Sequence, residues 1–200
     1  MAERKQTANS APARTGHGQA TPAGRRAVNG GRVQEFLVTR EFDAPRELVF
    51  KAWTDPDGLA KWWGPKGFIL LVARLDLRPG GLFHYSMRSP DNQTMWGKLV
   101  YREITPPERI EFVVSFADQA ANTVRAPFSP NWPLEVLSTV QFAEHNSKTT
   151  LTVRGVPNNA TEIECRTFEE GFKSMQQGWK GTLDQLADFT ASADRFVTAK

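Results

Sequence analysis

The chain is short of cysteine, short of histidine, and without any long apolar run. Its one cysteine, Cys165, leaves no intramolecular disulfide to form. His17, His84 and His145 are scattered and show none of the spacings that hold a metal, so neither a metal site nor a cofactor is expected. No stretch approaches the roughly 20 apolar residues of a membrane-spanning helix, and the N-terminus lacks the apolar core of a secretory signal. These absences point to a reducing, cytoplasmic setting and exclude a membrane span. A Ser-His-Asp order, a phosphate-cradling glycine loop and an HExxH helix are missing too. The "RPGG" at Arg78–Gly81 reads as a turn between strands.

What is present suits one globular domain: 200 residues, 40% of them hydrophobic, are enough to bury a core without staples. The pI of about 9.2 invites a nucleic-acid reading until the charge is located. Arg4, Lys5, Arg14, Arg25 and Arg26 against Glu3 give the first 30 residues a net +4, and the whole chain is only +3, which leaves −1 for the rest. The basic character therefore belongs to the tail, and no nucleic-acid partner is expected. Residues 1–31 have almost no large apolar side chain and are expected to form a disordered basic tail. An organelle transit peptide and a weak contact with an anionic surface are the lesser readings of the same composition.

From residue 32 the pattern becomes periodic. "RVQEFLVTREFDAP" alternates apolar and polar residues as a strand and stops at Pro45. With Asp43 as N-cap, a short helix follows, and Asp55 and Pro56 open a second. Six more strands are predicted, in "FILLVARLDLRPGG", "LFHYSMRSPDNQ", "TMWGKLVYREITPPE", "RIEFVVSFAD", "LEVLSTVQFAEHNSK" and "TTLTVRGVP". The tight turns between most of them imply an antiparallel meander. Phe168, Phe172, Met175, Trp179, Leu183 and Leu186 recur at steps of three and four, predicting one long helix from about residue 162 to 190, with 191–200 as a C-terminal tail. Gly171, Gly178 and Gly181 inside that helix are costly unless something packs close. The architecture expected is α+β: a curved seven-stranded antiparallel sheet around a long C-terminal helix, with two short helices after strand one.

"FDAPRELVFKAWTDPDGLAKWWGPKGF", "DLRPGGLFHYSM", "YREITPPERIEF", "STVQFAEHNSKTTLTV" and "GFKSMQQGWKGTLDQLADF", in that order, resemble the START-type helix-grip (SRPBCC) superfamily. More narrowly they resemble its branch named after the C-terminal domain of the activator of heat shock protein 90 ATPase. The likeness covers about Arg32 to Thr190. It implies a cavity between sheet and C-terminal helix that relatives use for lipids, polyketides and other apolar molecules. Three functions follow as expectations: binding of a small hydrophobic or aromatic molecule, a polyketide cyclase- or dehydratase-like enzyme, and a chaperone cofactor or protein-interaction module. The chaperone-activating relatives carry a separate N-terminal domain, which residues 1–31 are too short to form.

Alternation in "GGLFHYSM" puts Phe83, Tyr85 and Met87 on one face and Leu82, His84 and Ser86 on the other. The matching inward set is Ile110, Phe112, Val114 and Phe116 on one strand and Val140 and Phe142 on the next, and Met175 and Trp179 complete it from the helix. These side chains line a chamber fit for an apolar ligand, or they fill the space as solid core. Adjacent helical residues point about 100° apart, so Trp62 and Trp63 divide their work: Trp63 is assigned inward and Trp62 to the gate. A second gate is expected in "ADQAANTVRAPFSPNWPLE" through Phe128 and Trp132, although proline stiffening also fits a plain surface loop. Tyr85 is the inward polar group, a hydrogen-bond donor to a ligand or, in an enzyme, the proton donor. His84 is placed on the outer face with a surface role, Arg154 outward, and Cys165 beside Arg166 as an unpaired thiol. Monomer and homodimer fit equally well.

Overall fold

The computed structural model describes residues 27–28 and 31–197. Most of the expected tail, residues 1–26 and 29–30, lies outside them, as do residues 198–200. The tail's described end is a two-residue antiparallel ladder, β1 (Ala27–Val28) with β2 (Gly31–Arg32). The main strands follow: β3 (Phe36–Phe42), β4 (Ile69–Leu75), β5 (Leu82–Arg88), β6 (Thr94–Thr105), β7 (Arg109–Ala117), β8 (Val136–His145) and β9 (Lys148–Pro157). They form one seven-stranded sheet in the order β3-β9-β8-β7-β6-β5-β4, every pairing antiparallel. Strands β4 to β9 are the expected meander. The first strand, β3, sits at the far edge beside β9, because two helices carry the chain across between β3 and β4.

Those helices are α1 (Arg46–Thr54) and α2 (Pro56–Trp62). Asp55 caps α2 as expected, its side chain accepting from the Asp57 N–H, with Pro56 where a missing N–H costs nothing. Asp43 does not cap α1: the N-cap position is Pro45, which has no side-chain acceptor. The C-terminal helix also departs from expectation. Thr161 and Glu164 form a reciprocal capping box that starts α3 (Glu162–Glu170), and α4 (Phe172–Val197) follows after Gly171. Packing holds position 171 to glycine, since a Cβ there would lie 2.8 Å from the Trp132 ring. Helix α4 runs on to Val197, into the residues expected to be a tail.

The core lies between the concave face of the sheet and these helices. At the α1 end it is a dense aromatic block in which Trp53 packs at 5.0 Å from Trp62, 5.4 Å from Trp63 and 6.1 Å from Phe142. Toward α3 it continues as a smaller cluster of Phe36, Val136 and Phe168.

Candidate functional site

Strand register decides which side chains share the concave face. Tyr85 lies opposite Gly97 and Gly97 opposite Phe116; Phe36 lies opposite Gly155, Gly155 opposite Ser138, and Ser138 opposite Phe112. Three of these inward positions are therefore Gly97, Ser138 and Gly155, small residues where the sheet elsewhere points Leu, Val, Phe or Tyr inward. Space that larger side chains would fill stays open. The result is a cavity of about 220 Å³, floored by these small residues and walled by Tyr85, Met87 and Met95. Phe168, Met175 and Trp179 cover it from the helices, and Trp132 with Pro133 closes one end. Gly97 is required by the Tyr85 phenol, since a Cβ there would sit 2.6 Å from its Oη. A second chamber of about 250 Å³ adjoins the first, bounded by Trp63, Gly64, Pro65, Gly178 and Thr182.

Tyr85, Met87, Phe116, Trp132, Met175 and Trp179 line the cavity, and Trp63 lines the adjoining chamber with Tyr85, Met87, Met175 and Trp179. Three other residues assigned to the lining sit in the aromatic block instead. Phe83 and Phe112 pack with Trp53 and Tyr101 around a residual void of about 10 Å³, and Phe142 packs against Phe50 and Trp53. They lie further along their strands, where α1 plugs the sheet. The gate assigned to Trp62 is also corrected: it is 1% exposed, and its indole N–H donates to the Ala52 carbonyl at 2.9 Å. Trp63, half-buried beside it, holds the position at the chamber. Phe128 is 63% exposed and stands at the rim with its ring on Phe116 and Trp132.

The outer face holds a further correction. His84 is buried rather than at the surface, stacked on Trp96 at 4.8 Å, and its Nε2 donates to the Asp118 carbonyl at 3.0 Å. The segment after β7 folds over this face, fixed by the Asp118 carboxylate, which accepts from Ala120 and Asn122, and by Lys98, which donates to the Ala121 carbonyl. Arg154 pairs with Glu35 at 2.9 Å. Burial pushes the Cys165 thiol up, and Glu169 and Glu164 push it the same way, so a reactive thiolate is disfavoured. Burial opposes ionisation of Glu164, but its bonds from Arg125 and Thr161 outweigh that and hold its pKa below the ordinary value. The same Arg125 donates to the Trp132 carbonyl at 3.1 Å and ties the Trp132 loop to α3.

Burial pushes the Tyr85 phenol up from 10.0 to about 12, an effect that a hydrogen bond with the Trp63 side chain partly offsets. An indole can only donate, so Trp63, edge-on to the Tyr85 ring at 6.0 Å, does not take up the phenol's own O–H. The folded state holds the Tyr85 proton more tightly than the unfolded state does. That stabilisation is complete below pH 10 and is lost as pH rises from there through about 12. Tyr101, pushed up by burial as well, adds a loss of the same sign. Guanidinium melts between pH 8 and pH 12 should show stability falling, with Tyr85 accounting for up to about 3 kcal/mol. Tyr85→Phe should flatten the slope, and an identical slope in the variant would contradict the burial of this phenol.

Chemically, the cavity offers soft apolar contact and hydroxyl groups. Among the described residues no cluster of His, Cys, Asp and Glu could hold a metal, and no helix is long and apolar enough to cross a membrane. A curved antiparallel sheet closed by a long C-terminal helix, with two helices between its first strands, is the helix-grip architecture. Within it the chain belongs to the family of activator of Hsp90 ATPase homolog 1-like proteins (AHSA1), which it matches over residues 43–191. Solved structures agree. A Mycobacterium smegmatis protein is 26% identical, covering 77% of this chain and 88% of its own, with a TM-score of 0.64. One from Nitrosomonas europaea is also 26% identical, with coverages of 80% and 96% and a TM-score of 0.63. The AHSA1 protein from Silicibacter pomeroyi shares the fold at 20% identity, with coverages of 80% and 99% and a TM-score of 0.58. No curated protein matches the chain.

Proposed function

We propose that the protein binds a small apolar molecule non-covalently in the cavity between its sheet and its C-terminal helices. The observation that carries this reading is the set of small inward residues, Gly97, Ser138 and Gly155, that hold open about 220 Å³ in an otherwise close-packed core. A packed interior tolerates such a void only at a cost in lost contacts, which an occupant restores. An apolar cavity of about 150 Å³ is already enough for benzene, so this one suits a somewhat larger aromatic or aliphatic molecule. A phenol with pKa about 12 is a weak proton donor at neutral pH, which favours Tyr85 as an anchor over Tyr85 as a general acid.

The test is titration with N-phenyl-1-naphthylamine, a neutral apolar dye, read by its own emission and by quenching of tryptophan, alongside native mass spectrometry of the purified protein. One-site saturable binding, displaced by small aromatic or aliphatic compounds, is the expected result. A linear, non-saturating signal with no retained molecule would contradict it, and would turn attention to protein partners.

A further inference from the structure

The two chambers share four residues: Tyr85, Met87, Met175 and Trp179. We propose that they form one bent site for an elongated neutral molecule with a hydrogen-bond acceptor between two apolar arms, held at the junction by the Tyr85 hydroxyl. The proposal rests on the cavity-binding reading and extends it from a single chamber to a class of ligand.

The shared wall is built to yield. Met87 and Met175 are unbranched thioethers with three rotatable bonds each, and both are only partly buried. A branched or aromatic pair would separate the chambers rigidly. The second chamber has its own cause in the sequence. Gly178, like Gly181 one turn on, lowers the helix propensity of α4, and a Cβ there would meet nothing within 4 Å, so the glycine is not needed for close packing. It is exposed and stands at the open side of the second chamber, where a larger side chain would narrow the space. Across from it Gly64 takes φ +111°, and a Cβ there would sit 2.8 Å from the Met87 sulfur, so this glycine makes room for the partition itself.

The polar groups define the ligand's chemistry. The Thr182 hydroxyl donates to the Gly64 carbonyl at 3.2 Å, and the Arg154 guanidinium, at the first chamber's edge, pairs with Glu35. The Tyr85 phenol borders both chambers, where its O–H is within reach of an acceptor on a ligand that spans them. With no unpaired cation among the described lining residues, that donor selects a ketone, ester or amide oxygen over a carboxylate, whose charge would be desolvated without compensation.

Wild-type protein, Gly178→Leu and Tyr85→Phe would each be titrated at pH 8 with 2-hexanone, 2-decanone and decanoate, following tryptophan emission. In the wild type, affinity should rise about fourfold per added methylene from hexanone to decanone. Gly178→Leu, a favourable change for a helix interior, should melt no lower than wild type, bind 2-hexanone within about twofold, and lose roughly tenfold or more on 2-decanone. Tyr85→Phe should weaken both ketones about three- to tenfold, and decanoate should bind wild type roughly tenfold or more below 2-decanone. If the leucine variant melts early, Gly178→Ala should give a smaller loss confined to 2-decanone. A gain that stops at hexanone, or a Gly178 variant that spares 2-decanone, overturns the two-chamber site. Equal binding of decanoate and 2-decanone overturns the neutral-acceptor class. Failure of every ketone to bind saturably would instead reject the cavity-binding reading itself.

Discussion

Trp62→Ala lowers stability by about 3–5 kcal/mol, the cost of deleting a fully buried large aromatic, and Trp63→Ala costs about half of that or less. The two residues are neighbours in the chain and equal in size, so only their placement separates them. Trp62 is 1% exposed, packs against Trp53 at 5.0 Å and spends its indole N–H on the Ala52 carbonyl, which the alanine variant would leave without that partner. Trp63 is half-buried and borders a chamber, so its removal enlarges an existing space rather than opening a new one. Guanidinium denaturation of both variants reads the difference directly. Equal losses, or a larger loss at Trp63, would reverse the assignment of core and wall.

Ser138→Leu removes binding of N-phenyl-1-naphthylamine, by roughly 100-fold or more, while the protein stays as stable as wild type or gains about 0.5–2 kcal/mol. The serine lies on the cavity floor between Gly155 and Phe112, and leucine there adds apolar volume to the space the dye needs. Loss of binding with loss of fold is the trivial outcome, which is why the thermal melt is part of the measurement. A folded Ser138→Leu protein that still binds the dye at wild-type affinity would place the dye elsewhere.

The fold was readable because its signals are local. Period-two alternation marked β3 to β9, and the steps of three and four from Phe168 to Leu186 marked the C-terminal helical region. Family resemblance added the way these parts close on each other. The reason for a glycine at 171 was hidden because Trp132, which leaves no room for a Cβ there, lies 39 residues earlier in the chain and meets it only in the folded state. The site was readable on one side only. Inward aromatic and methionine side chains could be picked by alternation, but alternation does not say how far along a strand the packed block ends and the cavity begins. Phe83, Phe112 and Phe142 therefore entered the expected lining although Trp53 of α1 packs among them, with Phe50 on Phe142 as well. The stronger signal was the opposite one, the absence of bulk at the inward positions Gly97, Ser138 and Gly155. It could have been found by asking which concave-face positions fail to fill the core. His84 was misplaced for a similar reason: alternation identified its face correctly but not the segment from Asp118 that covers it.

The chain has four methionines, and three of them, Met87, Met95 and Met175, line the cavity, while the fourth is Met1, outside the described residues. Labelling the methionine methyl groups with carbon-13 therefore places three of four reporters at the proposed site. In a titration with 2-hexanone followed by methyl NMR, binding in the cavity predicts that the three resonances shift together along one saturable curve while the Met1 signal stays fixed. Shifts that grow linearly without saturation, or that leave the three cavity methyls unmoved, would contradict a ligand site between the sheet and the C-terminal helices.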